Sequence, residues 1–205
     1  MSDEQQLNNG HGQNDETEDL ENWISERFRE DFQRNMRLAA ELLERRRGAE
    51  AVELLEPCLK HEPQNLDVIL NLSSAYILVK KYDRAAELLE RGTELAPDDP
   101  ALWSNLGAAY LGFLAISTPR KQERALEAYH KVLEIDETYP NTYYNIGLIH
   151  VDRSEWEKAD EAFRKAIRVN PWDKDARLWR KRMAKEMRDE SENEEDDQDA
   201  PEDQG

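Results

Sequence analysis

The chain has 205 residues, with 28 Lys and Arg against 46 Asp and Glu, a net charge of −18, 38% hydrophobic residues and a mean hydropathy of −0.96. The acid is not spread evenly: residues 1–31 hold ten acids and two bases, residues 189–205 hold ten acids and no base, and residues 32–188 hold 26 of each sign. The central body is therefore neutral, which gives no footing to a nucleic-acid interface built on a basic excess, and no stretch approaches the ~18 uncharged apolar residues of a membrane span.

Residues 1–18 combine Gln, Asn, Gly and acids without aliphatic periodicity, a composition that predicts a disordered acidic tail. The opening MSDEQQLNNG has no basic or apolar region of a secretory signal, so the expected residence is cytoplasmic. From Asp19 the pattern changes. Leu20, Trp23, Ile24, Phe28 and Phe32 recur at three- and four-residue steps and predict a helical extension over 19–31, capped by Asp19, that runs into or packs beside the helix that follows.

The middle of the chain repeats. Ala51, Ala85, Ala125 and Ala159 recur at intervals of 34, 40 and 34 residues, each inside a helical pattern of apolar residues. A 34-position frame divides the chain into 32–65, 66–99, 100–139 and 140–173. Its seventh position reads Leu38, Leu72, Leu106, Ile146; its eighth, always small, reads Ala39, Ser73, Gly107, Gly147; its twenty-fourth reads Leu55, Leu89, Tyr129, Phe163. Pro63, Pro97 and Pro171 punctuate three of the four units, while the third has Glu137 at that place and Pro140 three residues later. The lone Cys58 falls at a small core position, where a buried, inert thiol is expected.

The third unit carries six extra residues around GFLAISTPRKQERA. Ser117 or Thr118 before Pro119 is a helix-start signal, so the insertion is predicted to lengthen the unit's first helix and turn, as a surface elaboration or as a contact for a partner. Pro171 opens a last helix, 174–189, with Ala176, Trp179, Met183 and Met187 on one stripe. Its other face holds Arg177, Arg180, Lys181, Lys185 and Arg188, read either as a solvated face or as a dock for the acidic tail or another anion. Residues 190–205 are expected to form a second disordered acidic tail.

The spacings Trp103-x2-Leu106-Gly107-x2-Tyr110 and Tyr143-x2-Ile146-Gly147-x2-His150, with the alanines, Tyr129 and Phe163 downstream, resemble the tetratricopeptide repeat (TPR) family. The first unit departs most, with Asn35 where the family often has Trp and Leu42 where it often has Tyr. The resemblance implies an all-α, right-handed superhelix of four helix-turn-helix units, with an N-terminal helical extension and a C-terminal capping helix. It also implies that the first helix of each unit lines a concave groove with its second, fifth, sixth, ninth, twelfth and thirteenth positions.

On this chain those positions supply an apolar floor of Leu70, Ile77, Leu111, Tyr144, Leu148 and Val151, and a row at the sixth position of Arg37, Asn71, Asn105 and Asn145. An amide both donates and accepts, so the asparagines can pair with the backbone of an extended peptide, or else join neighbouring repeats; the floor likewise either meets a ligand or packs between repeats. The family members that hold the charged C-terminus of heat-shock chaperones need cations that this groove lacks: Met36, Ala40, Asn71, Ala101 and Asn105 stand at the positions concerned, and only Asn71 agrees. A chaperone tail is therefore disfavoured.

No enzyme chemistry is legible. His11, His61, His130 and His150 are scattered, and the sequence has no phosphate loop, no HExxH and no Cys/His pair at ligand spacing. No catalytic, cofactor or metal site is expected. The reading is an interaction module or scaffold that binds another protein through an extended segment or amphipathic helix. The alternatives are self-association through the ends of the solenoid, at Trp23 and Phe28 or at Trp179, and polyanion binding by the basic helix at 177–188.

Overall fold

The computed structural model describes the backbone of residues 12–198 and the side chains of residues 26–187. Over that range the chain forms nine α-helices, one 3-10 turn and no strand. They are α1 (Gly12–Glu44), α2 (Gly48–His61), α3 (Leu66–Leu78), α4 (Tyr82–Leu95), α5 (Pro100–Leu111), α6 (Pro119–Ile135), α7 (Thr142–Asp152), α8 (Trp156–Val169) and α9 (Lys174–Gln198), with the 3-10 turn at Leu114–Ile116. Consecutive helices pack on one another throughout, and α3 also touches α1 and α5, so the pairs α1/α2, α3/α4, α5/α6 and α7/α8 stack as a solenoid capped by α9.

The turns show why the period yields pairs. In the first, second and fourth repeats the first helix closes on a left-handed residue, Arg46 (φ 57), Lys80 (φ 61) or Ser154 (φ 55). The next amide then reaches back to a carbonyl five residues earlier, as Arg47 N–H to Leu42 (2.8 Å), Lys81 to Tyr76 (2.8 Å) and Glu155 to His150 (2.9 Å). Because this backbone closure fixes the entry to the next helix, α2, α4 and α8 start without a side-chain cap. Of the helices entered from the looser turns between repeats, three are capped instead: Asn65 accepts from Val68 (3.1 Å), Asp99 from Ala101 (2.8 Å) and Asp173 from Ala176 (2.9 Å), while α7 follows Asn141 without a side-chain cap.

Inside each pair, the eighth position meets the twenty-fourth, and their sizes compensate. A Cβ on Gly107 would lie 2.7 Å from the Tyr129 ring, and one on Gly147 2.7 Å from the Phe163 ring. Glycine is required opposite an aromatic ring, whereas Ala39 and Ser73 stand in the repeats that have Leu55 and Leu89. Leu55, Leu89, Tyr129 and Phe163 are all essentially fully buried. Ala51, Ala85, Ala125 and Ala159 are fully buried as well. Cys58 is 1% exposed, and burial raises its thiol above the ordinary value, which disfavours the reactive thiolate.

Several sequence-based boundaries shift. Asp19 does not cap a helix, since α1 begins at Gly12 and runs unbroken into the first repeat; no proline interrupts 12–44, and Glu propagates a helix well. For the same reason α9 continues to Gln198, past the expected end at 189. Both helices thus enter segments expected to be disordered, while the remainder of those tails, 1–11 and 199–205, lies outside the described residues. The side chains of Leu20, Trp23, Ile24 and Arg188 also lie outside them.

The insertion does not lengthen the first helix of its repeat. Gly112 (φ 59, ψ −122) ends α5 and turns the chain away, Thr118 accepts from Lys121 N–H (3.3 Å), and Pro119 opens α6, which has 17 residues where α2, α4 and α8 have 14. Pro140 stays outside α7 because Asn141 is left-handed (φ 63). Pro171 sits in a turn ahead of α9. Leu38 is 41% exposed, unlike Leu72, Leu106 and Ile146, because no repeat precedes the first to cover it.

Candidate interaction face

One side of α1, α3, α5 and α7 faces its partner helix, and the other side carries the residues expected to form the groove. The floor residues are partly buried. Leu70 and Ile77 pack against the core of the first three repeats, Leu111 against the cluster between α5, α6 and α7, and Tyr144, Leu148 and Val151 against the cluster shared with α8 and α9. Tyr144 also meets Phe163 at 5.8 Å between ring centres. These side chains therefore both bind the repeats together and keep a surface.

The sixth-position row is not uniform. Asn105 donates to Ser74 Oγ at 3.3 Å, across the step from α5 to α3. Burial pushes the Tyr129 phenol above its ordinary value, and a hydrogen bond with the Asn145 side chain opposes that shift. Asn71 makes no side-chain hydrogen bond among the described residues, and Arg37 is exposed without an ionic partner among them. Two of the three amides thus already join neighbouring elements, with capacity to spare, since an amide has two donors and an acceptor. A depression of ≈ 770 Å³ does not coincide with this floor. It runs along α1 between Glu26 and Arg37, and its charged, single-helix wall makes it a solvated surface.

Sequence reasoning passed over two polar devices between repeats. Tyr76 donates to Glu56 (2.8 Å) beside Arg84, and 34 residues on Tyr110 donates to Glu90 (2.8 Å) while Arg124 pairs with Glu90 (2.8 Å) and lies 3.9 Å from the centre of the Tyr110 ring. Burial and Glu90 together push the Tyr110 phenol up to about 12. The recurrence of Glu56 with Glu90 at one period, and of Arg84 with Arg124 at one period plus the insertion, was the signal available. At the junction of the third and fourth repeats His130 replaces that glutamate and His150 replaces the tyrosine; His150 Nδ1 bonds to Glu155 at 2.6 Å. Desolvation pushes Glu155 up, but bonds from His150 and Lys158 outweigh it and hold the carboxylate below its ordinary value.

The second device is a latch across the insertion. Gln122, 3% exposed, donates to Asp152 (2.6 Å) and accepts from Arg153 (2.8 Å), which also bonds to Glu123 (3.2 Å). At the C-terminal end, Trp179 is not an exposed end residue: it stacks on Phe163 at 6.1 Å, because the apolar stripe of α9 faces α8, and Trp172 is the exposed tryptophan among the described residues, at 87%. Phe28 is 37% exposed and meets the His61 ring in a tilted contact. The basic face of α9 is partly committed, with Arg180 bound to Asp160 (2.8 Å) and Arg177 to the Pro171 carbonyl. Among the described residues no group of three or more His, Cys, Asp or Glu is placed to hold a metal ion, and no helix is long and apolar enough to cross a membrane.

Comparison with known proteins agrees with this architecture. The chain is 28% identical over 123 residues to the BBSome complex member BBS4 of Mus musculus, covering 60% of this chain and 22% of that protein. It is 25% identical over 95 residues to a peroxisomal targeting signal receptor of Candida albicans (46% and 15%), and 26% identical over 119 residues to a heat-shock cognate co-chaperone, sgt12, of Aspergillus fumigatus (58% and 33%). It therefore spans at most a third of the length of these relatives. Among solved structures it superimposes on a thermophilic TPR protein of Thermus thermophilus with a TM-score of 0.65 at 19% identity (76% of this chain, 82% of that one), and on MamA with 0.59 at 22% identity (81% and 93%). Family models described as tetratricopeptide repeat match residues 42–110 and 140–171, and one described as TPR repeat matches 121–152. With the frame, the helix pairs and these matches in agreement, the chain belongs to the tetratricopeptide repeat family, whose members serve as protein-interaction modules.

Proposed function

We propose that this chain holds an extended segment or amphipathic helix of a partner protein against the face of α3, α5 and α7. The observation that carries the reading is that Leu70, Ile77, Leu111, Tyr144, Leu148 and Val151 all keep partial exposure along one side of the solenoid while the opposite side of the same helices is closed. Apolar contacts would supply most of the affinity, since a backbone-to-amide bond contributes only about 0.5–1.5 kcal/mol net and a micromolar complex rests on about 8 kcal/mol. Asn71, with its amide uncommitted, is the first candidate to fix the register of the ligand, and Asn105 and Asn145 contribute through their remaining donors and acceptors. Arg37 closes the row with a charge.

The test is a selection of peptides from a displayed random library against the full chain, followed by affinity measurements on variants. Leu111→Asp places a charge against the apolar ligand and is expected to weaken the selected peptides by at least about tenfold, roughly 1.4 kcal/mol. Asn71→Ala is expected to weaken them by a few-fold. Circular dichroism separates lost binding from lost helix. Selected peptides that bind both variants as well as the native chain would place the site elsewhere.

A further inference from the structure

Each edge of the solenoid gathers one helix C-terminus and one helix N-terminus per repeat, so helix dipoles give no reason for the two edges to differ in charge. They do differ. The edge formed by the turns within repeats has three bases against two acids over 44–50, three against one over 79–84, and three against one over 119–124. The edge formed by the turns between repeats has no base against two acids over 62–67, none against three over 94–99, and none against three over 134–139. The first three turns of the basic edge lie in a row: a Cβ on Gly48 would sit 3.2 Å from Val79, one on Gly112 would sit 3.2 Å from the Tyr82 ring, and Lys121 reaches Asp83 at 3.6 Å.

Some of these cations are spent inside the fold, as Arg84 is on Glu56 and Arg124 on Glu90. Arg46, Lys80 and Arg120, one per turn, are exposed and have no ionic partner among the described residues. On the same edge the insertion presents Phe113, 59% exposed, and Ile116, 80% exposed, while Leu114 between them packs inward against the cluster of Tyr129 and Ile146. Single exposed apolar residues are ordinary. Two held side by side by an anchored 3-10 turn, among uncompensated cations, form a mixed surface that calls for a mixed ligand.

We infer that this basic edge docks an acidic segment of a partner protein, whose carboxylates meet Arg46, Lys80 and Arg120 and whose aliphatic or aromatic side chains cover Phe113 and Ile116. The surface ends at the fourth turn, where 152–155 has one base against two acids. The chain's own residues 189–205 match the charge but offer only Ala200 and Pro201 as apolar cover. A nucleic acid matches the charge alone, and Glu44, Glu50, Asp83 and Glu123 on the same edge oppose a continuous phosphate backbone.

The probe is a fluorescein-labelled synthetic peptide of alternating Asp/Glu and Leu/Phe, titrated with the full chain at low and physiological salt and read by anisotropy. A peptide of equal charge with Ser in place of Leu and Phe, and a short DNA duplex, are the comparators. The apolar acidic peptide is expected to bind at least about tenfold tighter than either comparator. The triple variant Arg46→Glu, Lys80→Glu, Arg120→Glu is expected to lower its affinity by about tenfold or more and to flatten its salt dependence. Phe113→Ser with Ile116→Ser is expected to bring the apolar peptide down to the level of the Ser peptide. No binding, equal binding of a comparator, or full affinity in either variant would overturn the inference. Since Leu111→Asp reports on the groove and these changes on the edge, the two readings fail separately.

Discussion

Between α4 and α5 one apolar cluster runs without a break from Ala39 to Ala128, and the Tyr110–Glu90–Arg124 set lies across the seam. Between α6 and α7 the same frame positions meet differently. The helices approach each other less extensively, the apolar contact is a separate small cluster around Ala125 and Ile149, and His130 and His150 stand where glutamate and tyrosine stand elsewhere. Here the polar latch of Gln122, Asp152 and Arg153 ties the fourth repeat to the third. A repeat frame sets which positions meet; the side chains at those positions set how tightly neighbours are coupled. In a solenoid, where stability is a sum of repeats and interfaces, the fourth repeat with α9 should be the unit that opens first.

The strongest test of that contrast removes buried carbon on each side. Leu102→Ala, in α5 and fully buried in the continuous core, should fall near the top of the ~2–5 kcal/mol range for such truncations, and Ile149→Ala, in α7, near the bottom. Equal losses in urea melts would break the comparison. The latch comes next. Gln122→Ala should cost about 1–3 kcal/mol by removing its two hydrogen bonds, to Asp152 and from Arg153, at about 0.5–1.5 kcal/mol net each, and hydrogen exchange should show the loss in α7 and α8 while α3 and α4 keep their protection. Uniform loss along the chain would mean that the seam is no weaker than the others.

A smaller effect sharpens the contrast by being the same on both sides. Lys80→Gly and Ser154→Gly, at the left-handed turn positions, should each stabilise by about 0.5–1 kcal/mol, because the relief of backbone strain exceeds the entropy that glycine loses. A gain at one turn but not the other would locate part of the difference in the turns. The smallest effect lies in pH. The raised Tyr110 phenol contributes stability that is complete below pH 10 and is lost as pH climbs from 10 towards 12, whereas the lowered Glu155 carboxylate contributes stability that is present above pH 4.5 and is lost as pH falls through its folded value. Tyr110→Phe should reduce the alkaline component of the melting profile, which the raised phenols of Tyr76, Tyr129 and Tyr139 share, and Glu155→Gln should reduce the acid one, which Glu161 shares. A profile unchanged by both would show that neither group couples folding to protons.

Most of the helix pairing was legible because it rests on size and period. The small eighth position and the large twenty-fourth must meet in any such pair, and the pairs Gly107 with Tyr129 and Gly147 with Phe163 are written in the residues themselves. The course of the insertion was not legible, because it depended on the backbone angle of Gly112, which no periodicity reports. The expected groove positions do lie together on the first helices, but the partners of Asn105 and Asn145 are Ser74 and Tyr129, on other elements, and only packing brings them within reach. The charge of the two edges was present in the composition of the turns yet averaged to zero over the body, so a whole-chain count concealed it.

The unbroken course of α1 has a mechanical consequence. At 1.5 Å per residue its 33 residues form a rod about 50 Å long, of which about 30 Å precedes Phe32. The last turns of that rod are fixed in the first repeat by Phe32, Ala39 and Leu42. A rod clamped at one end acts as a lever arm: a tilt of a few degrees at the clamp becomes a displacement of a few ångströms at Gly12. Whatever docks along the repeats and shifts the first helix would therefore be reported at a distance as a change of angle, with no slack linker in between to absorb it.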